Sequence, residues 1–221
     1  MIIGNRVYYY TAGNNGGVNW NNTNQHFSIQ NNFIRLDYPG NATNFGIYVQ
    51  NGRNSAAGTN VINNNTIIKQ TYSIYYGITI NTGASSVTEI MNNLIVASFY
   101  GGGLITSTGN YDIHYNYVSN ASFGGFTNDG TNVAPTNTTI NTANGLITNA
   151  LSNTINGGTP DSAYSDINLT RNDAGCYGGS YTQDNFFPIT GNDWARVILV
   201  TAPRRVMVNG TINVKAIGYD K

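Results

Sequence analysis

Glu89, Asp112 and His114 are the residues of this chain whose types and spacing best suit chemistry. Glu89 precedes the second asparagine of "IMNNLI" (90–95) by four residues, and Asp112 precedes the asparagine of "IHYNYV" (113–118) by four. If the two hexapeptides are equivalent in the fold, the carboxylates lie side by side, with His114 on the same face. Neighbouring carboxylates raise each other's pKa and could share a proton or a cation.

Two readings of this cluster stay open. Cleavage of a glycosidic bond needs two carboxyl groups about 5–10 Å apart, and one strand spacing of about 4.8 Å is at the short limit of that range. The alternative is a solvated patch on an otherwise neutral wall.

Composition excludes several classes of function. Only 9% of the residues are charged, and ten Lys and Arg balance ten Asp and Glu, so the chain lacks the basic face that a nucleic-acid binder needs. No apolar run approaches the ~20 residues of a membrane span, and the start "MIIGNRVYYY" does not resemble a signal peptide. Because Cys176 is its one cysteine, the chain has no internal disulfide and no two-cysteine metal site. We expect no metal and no cofactor.

A repeat of 23 to 33 residues organises most of the chain. The hexapeptide "INNNTI" (62–67) resembles "IQNNFI" (29–34), "IMNNLI" and "IHYNYV", and "IIGNRV" (2–7) and "INTANGL" (140–146) fit more loosely. Their aligned asparagines are Asn5, Asn32, Asn65, Asn93, Asn116 and Asn144. A second element follows at a similar distance as "GVNW" (17–20), "GIYV" (46–49), "GITI" (77–80), "GLIT" (103–106) and "GFTN" (125–128). Two linked elements that recur together indicate a solenoid.

The strand-like elements predict an all-β parallel β-helix rather than a leucine-rich repeat, which would need helices and a leucine pattern. Each rung holds about three short strands, and the apolar residues of I-x-N-N-x-I point into the tube. We expect the second asparagine to form a tight bend in the left-handed conformation. Its side-chain amide bonds to the same amide one rung above and below. This would explain why asparagines 63–65 lie between two isoleucines.

These hexapeptides resemble the repeats of the right-handed parallel β-helix, or pectate-lyase-like, superfamily, over about residues 1–180. The resemblance implies a right-handed solenoid of secreted or cell-surface bacterial type. It also implies that an enzyme on this fold would use Glu89, Asp112, His114 and Lys69, with calcium as a cofactor only if it is a lyase. The chain has neither the Asp-Asp and Gly-His-Gly signatures of the hydrolases nor the Asp-rich calcium set of the lyases.

A second resemblance concerns "DINLTRNDAGCYGGSYT" (166–182), which is similar to the "D-x-D-G-S-R-N-D-I-G-A-Y-G-G" segment that closes many secreted bacterial β-helix proteins. Asn168 replaces the second Asp here, and Leu169 and Thr170 replace Gly-Ser. The resemblance implies that this stretch ends the solenoid. The residues expected to shape that end are Asp166, Arg171, Asn172, Asp173, Gly175, Gly178 and Gly179.

After Pro188 the pattern changes to alternating strands, "ARVILV" (195–200) and "RRVMVNGTINVKAIGYD" (204–220), with a predicted turn at Asn209-Gly210. This part resembles the opening of a bacterial immunoglobulin-like domain. We predict a β-helix of about six to seven rungs over residues 1–185. Residues 186–221 would form a C-terminal β segment, either a cap or the beginning of a further β domain. We expect the chain to be part of a longer polypeptide.

The chain also holds 16 tyrosines, and strand alternation should place some of them on the outside. Tyrosine and asparagine on a flat wall suit sugar binding, although packing under loops is the alternative. We expect a non-catalytic extracellular module, a structural stalk or adhesin, that contacts polysaccharide or other copies of itself. A polysaccharide lyase or glycoside hydrolase is a second possibility, and a trimeric viral tail-fibre or spike β-helix is a third.

Overall fold

Short strands dominate the chain in the computed structural model. It describes residues 1–10, 16–21, 25–37, 45–52, 59–82, 87–106, 110–119, 123–183, 196–201, 211 and 214–219. The strands are β1 (Ile2–Ile3), β2 (Arg6–Tyr9), β3 (Val18–Asn21), β4 (Ser28–Gln30), β5 (Phe33–Leu36), β6 (Phe45–Gly52), β7 (Thr59–Asn63), β8 (Thr66–Thr82), β9 (Val87–Met91), β10 (Leu94–Thr106), β11 (Asn110–His114), β12 (Tyr117–Val118), β13 (Phe123–Gly124), β14 (Arg196–Thr201) and β15 (Lys215–Tyr219). A 3-10 turn lies at Ser162–Tyr164, and none of the described residues form a helix long and apolar enough to cross a bilayer.

The strands up to β13 form three parallel walls. The first wall has the order β1-β4-β7-β9-β11. The second wall holds β2, β5, β12 and the beginnings of β8 and β10, and the third holds β3, β6, β13 and the ends of β8 and β10. Because successive coils add one strand to each wall and every pairing is parallel, the prediction of an all-β parallel β-helix solenoid is confirmed.

Isoleucine rows fill the tube, as the hexapeptide pattern predicts. Strand alternation turns every second residue inwards, and the pairing register aligns the inward residues of successive coils. The rows from the three walls include Ile29, Ile62 and Ile90, then Ile34, Ile67 and Ile95, then Ile47, Ile78 and Leu104, all without solvent exposure. Burying each such side chain contributes about 1.5–3 kcal/mol, so these rows supply much of the stability of the coils.

Glycines line the bend between the second and third walls. A Cβ on Gly77 would lie 2.4 Å from the carbonyl oxygen of Gly103 and 2.7 Å from Cγ2 of Ile95. Gly17 and Gly46 are similarly enclosed. The glycine that opens each second element therefore permits close packing of one coil on the next.

The last of the five second elements, "GFTN" (125–128), does not lie where the sequence alignment predicts it. Leu104 pairs with Phe123, not with Phe126 as the alignment of "GFTN" requires. Gly125 leaves the wall with φ +83°, and a Cβ there would meet the carbonyl oxygen of Thr106 at 1.9 Å. Phe126 then packs against the end of the core.

The bend between the first and second walls also differs from the prediction by one residue. The left-handed residue is the one before each aligned asparagine, with φ values of 52° at Asn31, 53° at Asn64 and 56° at Asn92 and Tyr115. Gly4 takes that place in the first coil with φ 68°. The prediction assigned this conformation to the second asparagine, which instead follows the bend and points inwards.

Beyond Val133 the chain forms an outer segment, residues 134–183, that holds no named strand. Its path reaches the first coil where Tyr8 donates to the carbonyl of Ala143, and returns to the last coils where Tyr117 donates to the carbonyl of Gly157. It then runs back to Gln183, which donates to the carbonyl of Asn31. The rungs predicted up to residue 185 are thus replaced, beyond Val133, by a layer outside the coils.

The last two strands, β14 and β15, form a separate antiparallel pair. The predicted turn at Asn209-Gly210 lies outside the described residues. The boundary between residues 185 and 186 stays a prediction.

Candidate functional site

A column of asparagine side chains runs through the corner between the first and second walls. In each step Nδ2 donates to Oδ1 of the asparagine in the next coil at 2.8–3.1 Å, and the backbone N–H of the donor residue shares that acceptor. The column consists of Asn5, Asn32, Asn65, Asn93, Asn116 and Asn132. Its buried members are fully hydrogen-bonded, as buried polar groups must be.

The sixth member of this ladder corrects the sequence alignment. Asn144 lies in the outer segment, where its Oδ1 accepts from the backbone N–H of Leu146 at 3.0 Å. Asn132 receives the bond from Asn116 instead, at 2.8 Å. It follows Asn116 by only 16 residues, because the last coil is shorter than the others.

The asparagines that precede the ladder residues hold the outer segment. Asn31 Nδ2 donates to the carbonyl of Gly178 at 2.6 Å. Asn64 Nδ2 donates to the carbonyls of Asp173 at 2.8 Å and Gly175 at 3.2 Å. In the repeats that carry two adjacent asparagines, the first holds the outer segment and the second builds the ladder.

The residues of the predicted end motif lie along this corner and do not close the tube. The Asp166 carboxylate accepts from the backbone N–H groups of Asp173 and Gly179, and Asn172 accepts from Asn64 at 2.9 Å. Gly178 permits a close turn, since a Cβ there would lie 1.7 Å from the carbonyl oxygen of Asp173. Burial raises the pKa of the Asp173 carboxyl, and the charge of Asp166 adds to the rise.

Arg171 also helps to hold the outer segment against the coils. Its Nε donates to the carbonyl of Gly158 at 2.6 Å, and its guanidinium lies 5.5 Å from the ring centre of Tyr115. Gly175 adopts φ +105°, a conformation that favours glycine. These contacts favour a structural part for the motif.

Glu89, Asp112 and His114 come together on the first wall. Glu89 and Asp112 are partners in the register between β9 and β11, and His114 is opposite Met91. His114 Nε2 lies 2.6 Å from Asp112 Oδ1. The neighbouring carboxylates and the histidine on their face were thus predicted correctly from the repeat.

Two further residues complete this charged cluster, and sequence reasoning missed both. Asp129 Oδ2 lies 2.8 Å from His114 Nδ1, so the ring stands between two carboxylates. The hydroxyl of Tyr164 donates to Glu89 Oε2 at 2.8 Å, and Asn63 Nδ2 donates to Glu89 Oε1. Neither Asp129 nor Tyr164 belongs to the repeat, so no periodic signal could have found them.

The electrostatics of the charged cluster are those of a satisfied network. Each ring nitrogen of His114 lies within hydrogen-bond distance of one carboxylate, Nε2 of Asp112 and Nδ1 of Asp129. Burial, followed by the charge of Glu89, raises the pKa of the Tyr164 phenol. Hydrogen bonds from the side chain and backbone of Thr131, with a smaller contribution from His114, lower the pKa of the Asp129 carboxyl.

Lys69 is not part of this cluster. It lies on β8, where that strand leaves the second wall, and is 4% exposed. Burial lowers the pKa of its ammonium group. Among the described residues no group of three or more His, Cys, Asp and Glu is placed to hold a metal ion.

Four aromatic side chains form a second candidate surface, the aromatic cluster of Phe45, Tyr48, Tyr75 and Tyr76. Phe45 stacks on Tyr48 with ring centres 4.8 Å apart, and Tyr75 meets Tyr76 edge-on at 4.5 Å. Tyr75 is 38% exposed, and the other three are partly exposed. Gly101 gives space to the ring of Tyr76, which a Cβ would approach to 2.2 Å.

The other aromatics of interest have varied surroundings. Tyr8 and Tyr10 stack at 6.4 Å and are exposed, whereas Trp20 and Tyr111 pack against the core. The side chain of Tyr72 lies outside the described residues.

No family model, no curated protein and no solved structure matches the chain. The fold and the corner between the first and second walls define the class of protein. It is a parallel β-helix solenoid with a buried asparagine ladder and an outer segment that is hydrogen-bonded to that corner. Membership of the pectate-lyase-like superfamily stays a prediction.

Proposed function

We propose that the chain is a non-catalytic β-helix module that binds polysaccharide through the aromatic cluster. The observation that carries this proposal is the group of four rings on β6 and β8, three of which also carry a hydroxyl group. Ring faces stack on the apolar faces of sugars, and phenol groups donate and accept hydrogen bonds. The neighbouring rings offer such contacts over more than one sugar unit.

The charged cluster supports a structural part for Glu89 and Asp112. Both carboxylate oxygens of Glu89 accept a hydrogen bond, from Asn63 and Tyr164, and Asp112 is held by His114. These partners hold both carboxylates in place beside the residues that contact them. The network therefore favours a stabilising contact between the first wall and the outer segment.

The test combines binding and product release on the same polysaccharides. The chain is applied to a glycan array, and reducing ends and unsaturated products are measured with calcium present. We expect binding without products, with binding lost in Tyr48→Ala and Tyr75→Ala. Tyr10→Ala is the matched control, because Tyr10 is 61% exposed in another part of the coil.

A second candidate function is a polysaccharide lyase or glycoside hydrolase, favoured by the register that places Glu89 beside Asp112. Product release that is abolished by Glu89→Gln or Asp112→Asn would establish this function and overturn the first. Binding by both aromatic variants at the level of the wild type would also overturn the first.

We further propose that the module belongs to the pectate-lyase-like superfamily and acts outside the cell, as a surface or secreted protein. The parallel walls and the asparagine ladder support the superfamily, and the low charged fraction of 9% supports the location. Detection of the native protein in the culture medium or on intact cells tests its location. Light scattering tests self-assembly, since a trimer would instead support a tail-fibre or spike module.

A further inference from the structure

The strands of the third wall differ from those of the other two walls in their charge. None of their residues is Lys, Arg, Asp, Glu or His. These strand residues are β3, β6, β13, and 76–82 and 102–106 of β8 and β10. The strands of the second wall include Arg6 and Arg35, and those of the first include Glu89 and Asp112. The aromatic cluster therefore lies on a wall whose strands are neutral.

Amide and hydroxyl side chains of this wall lie beside the aromatic cluster. Because Val49 is buried, strand alternation turns its neighbours Tyr48 and Gln50 outwards. Asn19 and Thr79 are the register partners of Tyr48 in the coils on either side, one strand spacing of about 4.8 Å away. Asn19 is exposed, and Tyr48, Gln50 and Thr79 are partly exposed. The ring of Tyr48 thus has neutral hydrogen-bonding groups around it.

The chemistry of this wall suits uncharged sugars. Amide, hydroxyl and phenol groups donate to and accept from sugar hydroxyl groups, and aromatic faces pack on the apolar faces of sugars. Those faces carry partial negative charge, and no side chain in the strands of the third wall can give a carboxylate the charge-assisted bonds of Arg or Lys. A carboxylate brought against these strands would lose water without gaining a cation in its place.

We propose that the third wall selects uncharged polysaccharides and discriminates against chains of uronic acids. This inference rests on the proposed function, since it names the class of glycan that the aromatic cluster binds. Tyr48 supplies a ring for stacking, and Asn19, Gln50 and Thr79 supply neutral hydrogen-bonding groups. The absence of charge from the strands of this wall gives the selectivity.

The test compares matched pairs of β-1,4-linked hexasaccharides: mannohexaose with hexamannuronate, and cellohexaose with its 6-oxidised glucuronate counterpart. The members of a pair share ring configuration and linkage and differ in a hydroxymethyl or a carboxylate group at carbon 6. Binding is measured by titration calorimetry at low ionic strength, where charge effects are least screened. We expect the neutral member of a bound pair to bind at least about tenfold more tightly, because the carboxylates are desolvated without compensation. We also expect the glycans bound on the array to be uncharged.

The outcomes separate this inference from the proposed function. Equal or tighter binding of the acidic members, or a preference for acidic glycans on the array, would overturn the inference. The proposed function would survive that result if Tyr48→Ala still abolished binding. Absence of binding to every glycan, neutral or acidic, would overturn both.

A second measurement introduces the missing charge. Gln50→Lys places a cation on the third wall, and Ala150→Lys adds the same charge at an exposed position of the outer segment. Gln50→Lys should lower the preference for the neutral member at least about fivefold. Ala150→Lys should leave it within about twofold of the wild type. An unchanged preference in folded Gln50→Lys would contradict the inference, and if this variant does not fold, the matched pairs on the wild-type chain decide the question.

Discussion

Replacing Asn65 by alanine would break the ladder near its middle. Asn65 Oδ1 accepts from the backbone N–H of Asn32 at 3.1 Å and from its side chain at 2.9 Å. Its Nδ2 donates to Asn93 Oδ1 at 3.0 Å and to the carbonyls of Ile29 and Asn63 at 2.9 and 3.2 Å. The side chain of Asn65 is fully buried, so water cannot easily replace these partners.

The expected loss of stability follows from which groups keep a partner. Asn93 Oδ1 still accepts from the backbone N–H of Asn65, and the side chain of Asn32 still donates to the carbonyl of Ile2. The backbone N–H of Asn32 loses its acceptor, which costs about 1–3 kcal/mol for a buried donor. The other lost bonds add about 0.5–1.5 kcal/mol each. We expect Asn65→Ala to lower the free energy of unfolding by roughly 2–5 kcal/mol.

The assay is equilibrium unfolding in urea, with Asn144→Ala as the matched control. Asn144 makes a single side-chain bond of 3.0 Å in a turn of the outer segment, so its loss should cost no more than about 1 kcal/mol. The reasoning is refuted if the two variants unfold at the same urea concentration. A larger loss of unfolding free energy for Asn144→Ala than for Asn65→Ala would instead support the ladder predicted from the sequence, with Asn144 as a member.

Three further predictions concern packing, the charged cluster and pH. Gly77→Ala should lower the free energy of unfolding by at least about 1–3 kcal/mol, because its Cβ would meet the Gly103 carbonyl at 2.4 Å. An unchanged melting temperature would contradict the close packing of glycines in successive coils. Tyr164→Phe should cost about 1–2 kcal/mol by urea unfolding, since the phenol no longer donates to Glu89; no loss would show that this bond is dispensable. Burial raises the pKa of Asp173 in the folded state, so this group favours folding below that pKa and loses the benefit as pH rises through it. Asp173→Asn should therefore unfold less readily than the wild type at neutral pH and show no advantage in acid, and the reverse order in urea titrations would contradict this sign.

The repeat made the coils predictable. Hydrophobic residues two positions apart and asparagines at the same corner of successive coils specify inward rows and a bend, which is why the register of Glu89 against Asp112 could be predicted. The prediction of the ladder was wrong at its last member for a physical reason. Asn132 occupies a short last coil without the I-x-N-N-x-I pattern, while Asn144 matched that pattern loosely in a segment that makes no coil.

The outer segment could not be predicted, because its contacts follow no period. Tyr164 and Glu89 are 75 residues apart, and Asn31 and Gly178 are 147 apart. Such pairs depend on the path of a non-repetitive chain over the coils. The hydrogen bonds from the first asparagine of the pair to the outer segment could not be predicted for the same reason, because its partners lie outside the repeat.

The different roles of the two adjacent asparagines are tested most directly by nuclear Overhauser effects of their side-chain amide protons. The structure predicts cross-peaks between the amide protons of Asn65 and Asn93, and between those of Asn64 and the α-protons of Gly175. It also predicts a contact of Asn116 with Asn132. Contact of Asn116 with Asn144, or Asn64 amide protons that exchange freely with water and show no contact to Gly175, would contradict the account.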